Sequence, residues 1–174
     1  MKKTFLILAV IFATTFSISL AQPRAIGGRA GFGFGASYQH SLHEKNMLQV
    51  DLDAIAYQRY RTHFGGVYRM WGLQAVATYN WVFPVKSWKG VGSWNWYTGV
   101  GGGMGMVTEG WDYEINLGVA GMIAVEYNFK FPLQLSFDLR PVVGPCYLVQ
   151  GKSFFISLFG IVCNSASIGI RYKF

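Results

Sequence analysis

The chain ends in the stretch SASIGIRYKF, residues 165–174, in which apolar and polar residues strictly alternate. The even-numbered positions run from Ala166 through Ile168 and Ile170 to Tyr172 and Phe174, whereas the odd-numbered positions hold serine, glycine, arginine and lysine. A period of two places these two sets on opposite faces of a β-strand. The stretch therefore predicts a strand with one apolar face and one polar face.

The same alternation recurs along the chain. Six further segments show it: Ile26–Tyr38, Met47–Tyr57, Trp71–Phe83, Trp94–Met106, Tyr113–Phe129 and Leu133–Val143. An eighth strand is predicted in Leu148–Ile161, where the apolar run is nearly continuous, and Gly144-Pro145 is interpreted as the turn that precedes it. These segments predict an all-β protein, a single antiparallel up-and-down β-barrel of eight strands.

The width of such a barrel indicates which face points outward. Eight strands enclose an interior just wide enough for side chains, and the tryptophans of the apolar face would overpack it. The opposite face is rich in glycine, serine and alanine, which suits a narrow polar lumen. The pattern thus favours a membrane-spanning barrel with its apolar face towards lipid over a soluble secreted barrel.

Aromatic residues near the strand ends support the membrane-spanning interpretation. Trp71 and Trp81 lie ten residues apart on one face. At the rise and tilt of a barrel strand this separation spans about 25 Å, the height of an outer-membrane apolar band. The predicted membrane girdle consists of Trp71, Trp81, Trp94, Trp96, Tyr127 and Tyr172.

The first 21 residues differ from the rest of the chain. Lys2 and Lys3 precede an apolar run, and Ser19-Leu20-Ala21 has the small-x-small pattern of a signal-peptidase site. Residues 1–21 are therefore predicted to be a signal peptide and residues 22–174 the barrel, with an uncleaved anchor helix as the alternative. The 174-residue chain is 13% charged and 52% hydrophobic, a composition that excludes disorder. The predicted location is the cell outer membrane.

An alternating last strand that closes on a C-terminal aromatic resembles the assembly signal of bacterial outer-membrane barrels. This resemblance implies that Phe174 is recognised by the barrel-assembly machinery. The whole chain also resembles small outer-membrane barrels of Bacteroidetes-type bacteria and, more generally, OmpA/OmpX-like barrels. The matching pieces are Trp96–Gly101, Val125–Lys130 with Pro132-Leu133, Phe137–Pro141 and Ser167–Phe174. Because the family has no established activity, the resemblance implies fold and location only.

Charged residues on the polar face form the predicted lumen network. Its members are Arg29, Asp51, Asp53, Glu114, Glu126, Asp138, Arg140, Arg171 and Lys173. Barrel closure brings the first strand beside the last, and we expect Arg29 and Arg171 to face lumen acids. Buried charges have to be paired, so the network is interpreted as an ion-pair plug. A proton or ion path is the alternative.

The segment His40-Ser41-Leu42-His43-Glu44 contains a nucleophile, two bases and an acid. Some outer-membrane barrels are lipid-modifying hydrolases that use serine and histidine, but a triad requires a base held against the nucleophile by a third group. Five residues of one turn provide no such support, and two histidines without a third ligand make a weak metal site. We therefore predict a polar loop, and no catalytic residue, cofactor or metal.

Two further groups of residues leave alternatives open. Cys146 and Cys163 are too far apart for a disulfide if the segment between them spans the membrane, and could pair if it is a loop. A basic cluster surrounds the Gly65-Gly66 turn, namely Arg59, Arg61, His63 and Arg69, while Lys86, Trp88 and Lys89 lie in another loop. These groups are predicted to form an interfacial belt near outer-membrane lipid and lipopolysaccharide, without nucleic-acid binding.

The functional hypothesis is a non-catalytic outer-membrane barrel with a plugged lumen and a structural or surface-interaction role. A lipid-modifying enzyme and a narrow pore are the alternatives. The sequence identifies neither a ligand nor a protein partner.

Overall fold

Antiparallel pairing between neighbouring segments builds the fold. The computed structural model describes residues 24–31, 33–61, 66–86, 91–109, 112–150, 153–157 and 166–174. The predicted signal peptide lies outside these residues. Within them the strands are β1 (Arg24–Gly31), β2 (Gly33–His43), β3 (Asn46–Arg61), β4 (Gly66–Pro84), β5 (Ser93–Glu109), β6 (Asp112–Asn128), β7 (Leu133–Leu139), β8 (Val142–Val143), β9 (Cys146–Gln150), β10 (Ser153–Ser157) and β11 (Ala166–Lys173). Over the described ranges no helix is long and apolar enough to cross a membrane.

The sheet closes on itself between its first and last strands. β1 pairs with β11 from Ala25↔Lys173 to Gly31↔Ser167. Beyond that ladder, the Phe174 N–H donates to the Arg24 carbonyl at 2.8 Å, and the Arg24 N–H donates to the Phe174 carbonyl at 3.1 Å. Closure leaves no free sheet edge at the seam. The predicted eight-stranded, all-antiparallel barrel is thus confirmed. The boundaries of two of the predicted strands, however, differ from those in the structure.

The segment Ile26–Tyr38 was predicted as one strand, and this prediction is wrong. It is the hairpin of β1 and β2, whose register runs from Arg24↔His40 to Ala30↔Phe34. Inward-facing residues are odd-numbered in both strands, as Arg29 and Ser37 show. Because the alternation crosses the turn without a change of phase, the pattern alone could not reveal the turn.

The predicted turn at Gly144-Pro145 and the predicted strand Leu148–Ile161 are also wrong. β7, β8 and β9 follow one another along β6, from Asn128↔Gln134 to Tyr113↔Val149, and form one interrupted spanning strand. Proline has no N–H to donate to the ladder, so Pro141 and Pro145 interrupt the strand while the chain continues along β6. The hairpin turn lies between β9 and β10 instead, and residues 158–161 lie outside the described part.

β10 and β11 complete the barrel as its eighth strand. β10 pairs with β9 and β11 pairs with β7, so both lie along the interrupted seventh strand. We call the end that carries residues 24 and 174 and the connections 43–46, 84–93 and 128–133 the turn end. The opposite end is the hairpin end.

Apolar side chains cover the outside of the wall, and polar side chains fill the inside. Leu73, Val119 and Phe34 expose 69%, 68% and 67% of their surfaces, whereas Arg171 and Asp138 expose none. A water-soluble barrel has the reverse arrangement. This distribution is that of a barrel whose wall faces lipid.

Five of the six predicted girdle residues lie near the turn end. Trp81 pairs with Asn46, Trp94 with Tyr127 and Tyr172 with Leu133, and Trp96 also lies there. The rings of Trp94 and Tyr127 are in contact, with centroids 4.7 Å apart. Trp96 stacks on the neighbouring Phe83, with centroids 4.5 Å apart. The sixth, Trp71, lies near the other end of β4. Aromatic rings at both margins match the interfacial positions favoured in membrane barrels.

Candidate functional site

A cluster of paired charges fills the middle of the lumen. Arg29 lies 2.7 Å from Asp51, 2.8 Å from Asp138 and 3.5 Å from Asp53 through its guanidinium nitrogens. Arg140 Nη1 donates to Asp51 Oδ2 at 2.6 Å, and its Nη2 donates to Asp53. All five side chains are buried. Two guanidinium groups therefore share three carboxylates away from water.

Three separate strands bring this cluster together. β1 carries Arg29, β3 carries Asp51 and Asp53, and the end of β7 carries Asp138 just before Arg140. Glycine provides the space on the neighbouring strand β2. A Cβ built on Gly35 would lie 2.5 Å from Asp53 Oδ1, closer than real Cβ contacts. Gly35 thus leaves room for the Asp53 carboxylate, and Gly169 likewise lies against the Arg171 guanidinium.

Arg171 makes a different set of contacts from those expected. Its Nε donates to Ser37 Oγ at 2.9 Å, and its Nη1 donates to Ser136 Oγ at 2.7 Å. Within the described residues no carboxylate lies at ion-pair distance from it. Arg171 nevertheless brings the charges of the buried centre to three positive and three negative, together with Arg29, Arg140, Asp51, Asp53 and Asp138.

Hydroxyl and amide groups complete the centre. Ser167 Oγ donates to Asp138 Oδ1 at 2.7 Å and accepts a hydrogen bond from Arg29. Gln49 Nε2 donates to Asp51 Oδ2 at 2.8 Å. Asp51 and Asp138 therefore have polar partners besides the guanidinium groups, which buried ion pairs need for stability.

A chain of amides connects this centre to the turn end. Gln39 Nε2 donates to Gln49 Oε1 at 2.9 Å, and Gln134 Nε2 donates to Gln39 Oε1 at 2.8 Å. Gln134 also donates to Glu126. Alternation along the strands places these glutamines on the polar face. The predicted lumen network contains charged residues only and therefore omits them.

The remaining predicted network members lie towards the ends of the lumen. Glu126 is buried, and the partly buried Lys173 donates from Nζ to Asn128 Oδ1 at 3.0 Å. Glu114 is fully buried at the hairpin end of β6, and it has an interaction partner. The nine predicted residues thus form a central cluster and two outlying parts.

Apolar layers lie between the polar groups. Val76, Ala120 and Val142 pack together beside the charged centre. Towards the turn end a second group joins Tyr97 and Met122 with Met47 and Ala124. Tyr97 is fully buried, and its hydroxyl donates to Gln49 Oε1 at 3.3 Å. Buried apolar side chains thus accompany the polar groups inside the wall.

The predicted polar loop is wrong for most of the histidine segment, because His40–His43 form the end of β2. His40 stacks on Tyr38 with ring centroids 6.3 Å apart, while Ser41 and His43 line a cavity at the turn end. Alternation along β2 separates the His40 side chain from Ser41. Within the described residues, no hydrogen bond joins Ser41 to His43. Over the same residues, no three His, Cys, Asp or Glu side chains form a group that could hold a metal ion.

The two other groups of residues are only partly described. Cys146 begins β9, whereas Cys163 lies outside the described residues, so their pairing stays open. Arg59 and Arg61 lie near the end of β3. Arg69 lies in β4, where it pairs with Gln58 of β3. His63, Trp88 and Lys89 are outside the described part, and Lys86 is exposed.

Comparisons with known proteins support the fold. No protein-family model matches the sequence, and no curated protein sequence matches it. Among solved structures, a major outer membrane protein from Thermus thermophilus superposes with a TM-score of 0.61 and 12% identity, over 88% of this chain and 100% of that one. The N-terminal β-barrel domain of Pseudomonas aeruginosa OprF gives a TM-score of 0.52 and 14% identity, over 88% and 96%. At these identities the likeness concerns the fold alone, and the fold of this chain is that of the small barrels found in outer membranes.

Proposed function

We propose that the protein is a non-catalytic integral barrel of the outer membrane, with a plugged lumen and a structural or surface-interaction role. The buried centre carries the proposal. It balances three guanidinium groups with three carboxylates, and Asp51, Asp138 and Arg171 expose at most 1% of their surfaces. An ion crossing the lumen would have to break these contacts without hydration, at a high free-energy cost.

The outer surface supports the proposed location. A band of apolar residues covers the wall, and aromatic side chains lie at both of its margins. Signal-peptide-directed export to the outer membrane of a Gram-negative, Bacteroidetes-type cell agrees with residues 1–21 and with the resemblance of the C-terminal strand. The partners of this proposal are outer-membrane lipid and lipopolysaccharide, together with the barrel-assembly machinery.

The unequal height of the wall supports a role at the surface. The pairing of β2 with β3 reaches only to Gly33↔Ile55, whereas β3 continues to Arg61 and pairs there with Gly66 of β4. The β3–β4 hairpin therefore projects beyond the β1–β2 hairpin. A projecting hairpin on a rigid barrel is a common way to present a contact surface.

Electrical recording tests the plug directly. We expect the wild-type barrel, inserted into planar bilayers, to show no steady single-channel conductance, because paired charges and apolar layers fill its centre. Insertion is verified on liposomes of the same lipid, from the different migration of folded and boiled protein in a gel. A stable current from the inserted wild type would contradict the plug and favour the narrow pore.

The terminal aromatic is expected to serve assembly more than stability. Phe174 exposes 61% of its surface, and its backbone makes two hydrogen bonds with Arg24. Phe174→Ala keeps both backbone bonds and removes only the ring. We expect this variant to insert in lower amount in cells, while the inserted fraction keeps its melting temperature within a few degrees.

Deletion of residue 174 provides the comparison for Phe174→Ala. It should lower insertion equally and also lower the melting temperature slightly, because the seam loses two backbone hydrogen bonds. Normal insertion of Phe174→Ala in cells would contradict the assembly role.

A further inference from the structure

A cavity opens into the lumen at the turn end. Its volume is about 330 Å³, within the range of small-molecule sites. Its deeper wall is formed by buried polar side chains, those of Gln39, Gln134 and Glu126. Charged residues at its rim include Arg24, Glu44 and Lys173. The cavity therefore combines a fixed polar floor with an entrance that carries both signs of charge.

Glu126 is the unusual group in this cavity. It exposes only 7% of its surface. Its carboxylate accepts hydrogen bonds from Asn95 at 3.1 Å, from Asn128 at 2.7 Å and from Gln134. All three donors are neutral amides. In the described part of the chain, no lysine, arginine or histidine lies at ion-pair distance from this carboxylate.

The charge of Glu126 thus differs from those at the centre of the lumen. Asp51, Asp53 and Asp138 have guanidinium partners. Among the described residues, Lys173 is linked to Glu126 through Asn128, and Arg24 lines the same cavity. Amide donors hydrogen-bond a carboxylate but carry no positive charge, so they leave it without a counter-ion. Such a group attracts a cation from the adjoining cavity.

The hydrogen bonds that Glu126 already accepts limit the kinds of cation that it can bind. An ionised carboxylate offers about four lone-pair sites, and three amide donors already occupy most of them. A calcium or magnesium ion binds through oxygen atoms directed at it, whereas the groups directed at the Glu126 carboxylate are the side-chain N–H donors of Asn95, Asn128 and Gln134. A donor group with a single charge, such as an ammonium or a guanidinium, needs only the remaining lone pair and the charge.

We propose that this cavity binds a small organic cation, through a primary ammonium or guanidinium group that donates to Glu126. The cavity volume accommodates a group about as large as a lysine side chain. Arg24 and Lys173 at the rim oppose the binding electrostatically and lower the affinity, whereas Glu44 favours it. This site is independent of whether the lumen conducts ions.

Titration of the refolded full barrel in detergent micelles tests the proposal. The probe is n-butylammonium, and the signals are the side-chain amide resonances of Asn95, Asn128 and Gln134. We expect saturable shifts, absent with the neutral isostere n-butanol. Glu126→Gln should weaken binding about tenfold or more, since it removes the charged acceptor. Lys173→Met should tighten binding about threefold or more, because it removes the opposing charge.

The matched control is Glu114→Gln, the same change at a buried glutamate at the opposite end of β6. It should leave the affinity unchanged, and gel migration of folded and boiled forms verifies that each variant folds. A glycine–lysine–glycine peptide tests the source of the cation. Binding of the peptide points to a chain-borne lysine, and its failure beside bound butylammonium points to a free amine.

Three results would overturn the proposal. The first is an unchanged affinity of Glu126→Gln for n-butylammonium. The second is equal binding of n-butanol, which would mean that charge has no part in recognition. The third is competitive displacement of n-butylammonium by millimolar calcium, which would assign the cavity to a metal ion instead.

Discussion

Replacing Arg29 with alanine is expected to lower the free energy of unfolding by about 3–5 kcal/mol. This is the cost of removing one partner of a buried ion pair, which leaves the other charge uncompensated. Arg29 contacts all three carboxylates of the centre. In its absence Arg140 still pairs with Asp51 and Asp53, but Asp138 retains only the hydroxyl of Ser167 at hydrogen-bond distance. Denaturant titration of the barrel in liposomes, followed by tryptophan fluorescence, measures the loss.

A second substitution separates charge from packing in this experiment. Asp138→Asn in the Arg29→Ala background removes the stranded carboxylate and should restore a substantial part of the lost stability. In a wet pore the stranded charge would be hydrated, and Arg29→Ala would cost about 1 kcal/mol or less, as for exposed pairs. A nearly neutral Arg29→Ala would therefore contradict a dry, ion-paired centre.

Introducing arginine at Val119 is expected to cost about 2–4 kcal/mol, as for a cation on the lipid face at the bilayer midplane. Val119 lies near the middle of β6 and exposes 68% of its surface. In a water-soluble barrel an exposed position of this kind would accept arginine with little change in stability. The same denaturant titration in liposomes measures the difference.

Thr108→Arg is the matched control for depth. Thr108 is exposed on the same outer face, but it lies near the hairpin end of β5, opposite Trp71. A cation near the interface costs only about 0–1 kcal/mol. Equal tolerance of arginine at Val119 and at Thr108 would mean that water, and not lipid, surrounds the wall.

Alternation determined the class of the fold and the direction of the side chains. In each segment the period of two separates an apolar set of residues from a polar set. The charged residues of the polar set, from Arg29 to Arg171, are buried in the structure. This inference needs no tertiary information, because the backbone of any strand directs successive side chains to opposite faces. The narrow interior of eight strands then decides which set can be outside.

The sequence pattern predicts the boundaries of the spanning strands less well than the direction of their side chains. The hairpin between β1 and β2 preserves the odd–even phase, so the pattern showed one strand where the structure has two. Along the seventh strand, Gly144-Pro145 indicates a turn, although pairing with β6 resumes at Cys146. The two errors offset each other in the count of eight strands.

Only the tertiary structure decided which lumen residues meet. Arg29 and Asp138 are 109 positions apart in sequence, and their contact depends on the strand register and on closure of the first strand against the last. Register also gave Arg171 two serine hydroxyls in place of a carboxylate, and it left Glu126 with amide donors alone. Alternation constrains the direction of a side chain but not its height in the barrel. The partners of a buried charge therefore depend on hydrogen bonding along all eight strands together.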